Sequence, residues 1–419
     1  MQIVVFEDEQ VPRLFPITVG RPAYAIGCGS FRLIDWLARL SKETAPTLHG
    51  IVRPHLAAIQ KLDFQIFSPK APTSDTPLLV VNARLTPSVA AYRTLARLIN
   101  NQQTAAVYEN GSLAAAMIAS GGPAPPPDDQ VDHWQKYVAN SLLNKLPSID
   151  AKLPLFDYPH DVVRQNMATI ADSLAFRLEG GSYKEIADGV FAAAGATLGQ
   201  YCVTDTNKGP VLLDEGAVVG PYSFLRGPAY LGPKARVIEH SAIKDAVAVG
   251  HTSKIGGEIE ASIVEPYSNK QHHGFLGHSY LGSWINLGAG TSNSDLKNTY
   301  GPVKMEYRGE QVATGMQFCG CILGDYSKSA INTGIFTGKT VGCCSMLYGF
   351  VTTNVPSFVN YARLFGQVTE LPPEVMIATQ QRMFSRRNVI QRDCDIALIH
   401  AMYDLTRNER QLAGEPLAL

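Results

Sequence analysis

Three histidines, His272, His273 and His278, stand within seven residues of one another. An imidazole exchanges a proton near neutrality, so such a group suits a general base or a metal site. Sixteen residues beyond His272 comes Gly288-Ala289-Gly290. Glycines let a backbone approach closely and present N–H groups to a developing oxyanion. Arg226 offers a bidentate fork for a phosphate. His273-x4-His278 also has a spacing that suits two zinc ligands, although His240 and His251 lie off register for a third. Cys319-Gly-Cys321 and Cys343-Cys344 fit no zinc pattern and read as small core residues.

These side chains sit on a repeat. Every sixth residue from 213 is aliphatic: Leu213, Val219, Leu225, Leu231, Val237, Ile243, Val249 and Ile255. With about a quarter of residues Leu, Ile or Val, such a run arises about once in ten thousand per register or less often. Four places after each, six of eight residues are Ala or Ser. The pattern predicts a parallel β-helix, three six-residue units to a triangular coil, with the aliphatic residue inside and the small one at the corner. The ladder resumes at Phe275, Leu281 and Leu287, breaks for a polar excursion over 292–318, and returns as Leu323, Ser329, Ile335, Val341 and Leu347 with one miss. A helix over 374–389 carries Arg382, Arg386 and Arg387 and reads as a solvated cap on the solenoid, with phosphate binding as its alternative.

The first 190 residues alternate strand and helix patterns, as an α/β domain does. Strands are expected at 2–6 and 77–82, helices at 31–40, 88–99 and 161–176, and a proline-rich loop at 121–129. The expected domains are 1–185, 186–360 and a helical tail, 361–419. The chain has 419 residues and a net charge of −1, so no global field favours nucleic acid or a membrane surface. Hydrophobic residues at 45% and charged ones at 17% exclude an intrinsically disordered chain. Seven cysteines without a framework suit a reducing, cytoplasmic compartment. The opening MQIVVFEDEQ turns acidic too early for a signal peptide, and no apolar run spans a bilayer.

The stretch HHGFLGHSYLGSWINLGAGTSNSDLKNTYG, 272–301, resembles the acetyltransferase half of bifunctional enzymes that make UDP-N-acetylglucosamine, a cell wall precursor. The likeness is nearest to a divergent, alternative bacterial branch of the N-acetylglucosamine-1-phosphate uridylyltransferase / glucosamine-1-phosphate N-acetyltransferase family. Arg13-Leu-Phe-Pro16-Ile-Thr18, Gly20-Arg21-Pro22 and Val80-Val81-Asn82-Ala-Arg84 carry it into the first domain. It implies a nucleotidyltransferase-like α/β domain followed by a left-handed β-helix, assembled as a homotrimer with the acyl site between neighbours. It implies acetyl transfer from acetyl-CoA to the amine of a hexosamine 1-phosphate. His272 matches the family base in His-x-x-Tyr-Leu-Gly, with Phe275 where the tyrosine stands. Arg226 matches a phosphate-gripping arginine and Asn286 an asparagine near the amino sugar. A family lysine is Glu260 here, with Lys254, Lys270 or Lys297 as replacements.

In the first domain, Glu7-Asp8-Glu9 follows the opening strand where the family has a glycine loop, and Ala83-Arg84 stands where it has a magnesium-binding aspartate. Magnesium is implied there only if nucleotidyl transfer operates. Arg13 and Arg21 are the candidate nucleotide-binding residues, and a structural or regulatory remnant is the equal alternative. The rival functions are a non-catalytic trimeric scaffold and a zinc-dependent protein that, through His273-x4-His278, resembles the trimeric β-helix proteins that bind zinc between subunits and hydrate carbon dioxide.

Overall fold

A computed structural model describes residues 1–44, 46–73 and 75–412, and the chain divides into two compact units. The first unit comprises Met1–Leu14, Arg21–Gly27 and Phe31–Tyr158. The second comprises Phe15–Gly20, Cys28–Ser30 and everything from Pro159 on.

The first unit is built on a five-stranded sheet. Its order is Thr47–Ile51, Gln2–Phe6, Leu78–Asn82, Ser112–Ile118, Ala105–Glu109. The first three strands are parallel and the last two pair antiparallel. QIVVF and LLVVN are buried at every position, as parallel strands covered on both faces must be. Helix Val89–Asn101 starts where the Ser88 hydroxyl accepts the Ala91 N–H at 3.1 Å. Its Tyr92 packs on Trp36 of helix Leu33–Thr44, ring centres 4.9 Å apart.

The second unit opens with helix Pro159–Glu179, ahead of the boundary expected at 185. The chain then winds into a tube with three walls. The first wall runs through strands Arg236–Val237, Lys254–Ile255, Asn269–Lys270, Asn286–Leu287 and Lys328–Ser329. The second runs through Val203–Asp205, Phe224–Arg226, Ala242–Lys244, Glu258–Glu260 and Phe275–Gly277, and the third through Val211–Leu213, Ala229–Leu231 and Val247–Val249. Val211 pairs with Ala229 and Ala229 with Val247, a step of 18 residues that is three hexads per coil. All eight aliphatic residues of the ladder are at most 2% exposed and share one core. Burying each is worth about 1.5–3 kcal/mol, so the period itself holds the tube together.

Later coils differ in length, and this corrects the ladder. Lys254 pairs with Asn269, a coil of only 15 residues, and Glu258 with Phe275, one of 17. The inward position therefore slips. Leu276, not Phe275, faces inside opposite Ile259, and Phe275 lies outside. Lys270 takes the inward position next to Ile255. The miss at Ser329 is also inward. Its hydroxyl accepts the Gly288 N–H at 3.1 Å and bonds Thr291 Oγ1 at 2.7 Å, so it is not an unsatisfied buried group. Between Tyr280 and its partner Ile322 the coil expands, and the polar excursion carries an antiparallel hairpin, Lys304–Tyr307 with Glu310–Ala313.

The tail forms helices Pro373–Ser385, Asp393–Leu405 and Arg407–Leu412. None of the seven cysteines forms a disulfide, and burial pushes the Cys28, Cys319 and Cys321 thiols up to about 12, so these three are fillers rather than nucleophiles. Among the described residues no helix is long and apolar enough to cross a membrane.

Candidate functional site

The corner between the first and second walls carries residues 271–274, and on the following coil Gly288–Thr291. His272 and His273 are both exposed there. The interior anchors this corner: Lys270 Nζ donates to the carbonyls of His272 at 2.6 Å and Gly256 at 3.0 Å. Burial pushes that ammonium down to about 8. At 2% exposure Lys270 cannot reach a ligand outside, which corrects the expectation that it stands in for the missing phosphate lysine.

Gly290 sits at φ +76°, and a Cβ there would lie 2.1 Å from Asn332 Oδ1 and 3.3 Å from His273 Nε2. Only glycine fits, and the His273 ring rests against it. The Gly290 N–H donates to the His273 carbonyl at 3.1 Å, and the Gly288 N–H donates to Ser329. Ala289 N–H has no partner among the described residues, which leaves it as the amide of this glycine-rich turn open to an acceptor.

His278 lies at the next corner, beyond strand Phe275–Gly277. Its Nδ1 is 2.8 Å from Asp295 Oδ2, and its ring stacks on Phe318 at 5.3 Å. A carboxylate in this position orients an imidazole. A Cβ on Gly277 would meet Asp295 Oδ2 at 2.3 Å and the Phe275 ring at 2.4 Å, so Phe275 and the His278–Asp295 pair adjoin. Asp295 had no role in the sequence reading. It arrives from the following coil, 17 residues after His278, and no spacing within a strand announces it.

Arg226 is three strand steps from Phe275–Gly277, about 14 Å at about 4.8 Å per step. It is bound to Asp205 at 3.2 Å and Asp245 at 3.3 Å, with the Asp245 hydrogen bond the largest influence raising its pKa. A phosphate would have to displace these carboxylates. Lys244 pairs in register with Glu260 and is ion-paired to both Glu258 and Glu260. A cation therefore stands one strand before the position where the family lysine was expected. Asn286 is exposed on the first wall, and Lys297 Nζ donates to the Pro302 carbonyl at 3.2 Å. One tube thus spreads His272, Phe275, Asn286, Lys297 and Arg226 over a corner, two walls and the excursion.

The first unit has its own cleft of about 160 Å³ at the carboxyl ends of strands Gln2–Phe6 and Leu78–Asn82, where ligands bind in open α/β sheets. Asp8, Glu9, Gln10, Asn82, Ser112 and Gln135 supply its polar lining, and neither Arg13 nor Arg21 contributes. Arg13 instead donates to Tyr158 Oη at 2.6 Å and Gln10 Oε1 at 3.3 Å, and Arg21 is buried. Arg84, fully buried, pairs with Asp8 at 2.7 Å and Asp157 at 2.8 Å and donates to the Phe156 carbonyl. Glu7 is held by Arg53 at 2.9 Å. A divalent cation needs such carboxylates for itself. Here guanidinium groups hold them, so the residues present do not fit magnesium. Among the described residues no group of three or more His, Cys, Asp or Glu side chains is gathered to hold a metal ion.

Residues 3–180 match the sugar nucleotidyl transferase family. The chain is 26% identical over 149 residues to a bifunctional sugar-1-phosphate nucleotidylyltransferase/acetyltransferase of Sulfurisphaera tokodaii, covering 35% of this chain and 37% of that one. It is 30% identical over 141 residues to the bifunctional protein GlmU of Methanocaldococcus jannaschii, covering 32% and 33% respectively. The matched segments thus span little more than a third of these relatives. A UDP-N-acetylglucosamine acyltransferase structure from Francisella novicida aligns with 52% of this chain and 88% of its own, at 14% identity and a TM-score of 0.34.

Proposed function

From a chain whose residues 3–180 match sugar nucleotidyl transferases and which is similar to bifunctional GlmU proteins, we propose a transferase of sugar-nucleotide biosynthesis that acetylates the amine of a hexosamine 1-phosphate. The observation that carries this reading is the exposed His272 on a β-helix corner, one coil from the glycine-rich turn with its open Ala289 amide. The amine must be neutral to attack the thioester carbon of acetyl-CoA. His272 takes its proton as the C–N bond forms. The Ala289 N–H faces the oxyanion. Collapse breaks the C–S bond, and the imidazolium returns a proton to the leaving thiolate. Asn286 orients the sugar, Phe275 packs beside it, and Arg226 and Lys297 meet its phosphate. Because one tube does not gather these residues, the site lies between neighbouring tubes of a homotrimer in the cytoplasm. A monomer by light scattering at micromolar concentration would refute the shared site.

One observation favours a second assignment of the base. His278, not His272, has an orienting carboxylate at 2.8 Å. Thiol release from acetyl-CoA with glucosamine 1-phosphate separates the two. If His272 is the base, His272→Ala lowers the rate by about 10²–10⁴ while His278→Ala keeps it within about tenfold; the reverse order moves the base to His278. Activity kept in both variants removes both histidines from the base role, and no thiol release by the wild type leaves the non-catalytic scaffold. Nucleotidyl transfer in the first unit is supported by the family match, and with Asp8 and Asp157 held by Arg84 it draws no metal site from them. Pyrophosphate release from a panel of nucleoside triphosphates, with and without magnesium, tests that half.

A further inference from the structure

We propose that the outer face of the first wall carries a binding site for a diphosphate group, formed by Arg236, Lys254, Arg386 and Arg387. Arg236 and Lys254 are register neighbours on adjacent strands, and Asn269 follows Lys254 in the same column. The two arginines come from the end of helix Pro373–Ser385. Phe384 fixes that end, its ring 4.5 Å from Trp284, which stacks on Tyr267 at 4.3 Å. Arg387 Nη2 then donates to Asn269 Oδ1 at 2.8 Å, beside Lys254. Among the described residues none of these four cations has an ion pair, and Asn269 is the single hydrogen-bond partner that any of their side chains has.

The second wall shows what this tube does with ordinary surface cations. Arg226 and Lys244 are each matched to a carboxylate, as is Lys208 in the turn after its strand Val203–Asp205. On the first wall the cations face one another. Burial first, and then Arg387, Arg236 and Arg386, hold the Lys254 ammonium below its usual range. A helix C-terminus favours basic residues, which accounts for Arg386 and Arg387. It does not account for Arg236 and Lys254, which belong to the wall. Converging like charges without a counter-ion are the complement of an anion. One phosphate monoester brings at most about two negative charges, so four cations suit two linked phosphates. The guanidinium forks suit their oxygens. Asn286 follows Asn269 in the column, two strand steps or about 10 Å from Lys254. A diphosphate held here lies within a sugar's reach of the residue assigned to the amino sugar. That link alone rests on the proposed function; the anion site does not.

Calorimetric titration of the full chain with inorganic pyrophosphate and, separately, uridine diphosphate tests the site without turnover. Wild type binds at least one of them, more weakly as salt rises. Lys254→Gln and Arg387→Gln each weaken binding at least tenfold, and Lys304→Gln on the hairpin leaves it unchanged. Tighter binding of uridine diphosphate identifies a nucleotide ligand, and equal or tighter binding of pyrophosphate identifies the free anion. No binding of either, or binding indifferent to Lys254 and Arg387, overturns the proposal. Melting controls for folding: both variants remove a repelled cation and melt no lower than wild type.

Discussion

Lys270 gives a prediction whose sign and size both follow from its place inside the tube. Burial lowers its pKa from 10.5 to about 8. At about 1.4 kcal/mol per tenfold change in protonation, the charged form is penalised by about 3 kcal/mol in the folded chain. The folded pKa is below the unfolded one, so between pH 8 and 10.5 the unfolded state binds more protons and stability rises with pH. Below pH 8 the amine is charged in both states and the full penalty is present. In Lys270→Met this dependence vanishes. The substitution also strips donors from the Gly256 and His272 carbonyls, about 1–3 kcal/mol for each acceptor left unsatisfied, but that offset does not vary with pH. Urea unfolding of both proteins at pH 7, 9 and 10.5 therefore gives a stability difference, wild type minus variant, that climbs by about 3 kcal/mol. Lys328, also pushed down to about 8, is present in both and cancels. A difference that stays flat across this range would refute the reasoning.

The remaining predictions concern packing, a turn and a buried charge. Ile255→Ala, in the middle of the aliphatic ladder, costs about 2–5 kcal/mol by urea unfolding, and a cost under 1 kcal/mol would mean the ladder is not the core. Gly290→Ala forces a Cβ against Asn332 Oδ1 at a left-handed backbone position and costs about 1–3 kcal/mol. By the proposed function it also lowers acetyl transfer, because the His273 carbonyl beside His272 accepts the Gly290 N–H; an unaltered melting temperature counts against the first effect and an unaltered rate against the second. Arg84→Met leaves Asp8 and Asp157 without their cation and destabilises the chain by about 3–5 kcal/mol, measured by the same unfolding titration; a neutral outcome would show that the pair is not a buried ion network.

The tube was legible because its period is carried by every coil. Leu213 through Ile255 repeat at six residues without exception, and each repeat faces the same interior. Legibility failed where coils change length. The 15-residue coil moved Lys270 inward and Phe275 outward, because strands keep their backbone register and the corner absorbs the missing residues. The His278–Asp295 pair was hidden for a related reason: its members are neighbours across coils, and a linear reading sees neighbours along the chain. Lys244 was overlooked because the family's cation was sought at position 260, one strand further on. Arg84 was seen to stand where a carboxylate was expected, but its two aspartate partners lie 76 and 73 residues away and only folding reveals that they neutralise it.

The unequal coils have an evolutionary consequence. The walls are locked by ladder pairing and by the packed aliphatic column, whereas the corners have held two, four or more residues within this one molecule without disturbing either. Such a scaffold separates what must be preserved from what is free to vary. A lineage, or an experimenter, can exchange a short corner segment and so retool the reagent it displays, while the architecture that aims it passes unchanged from one catalyst to the next.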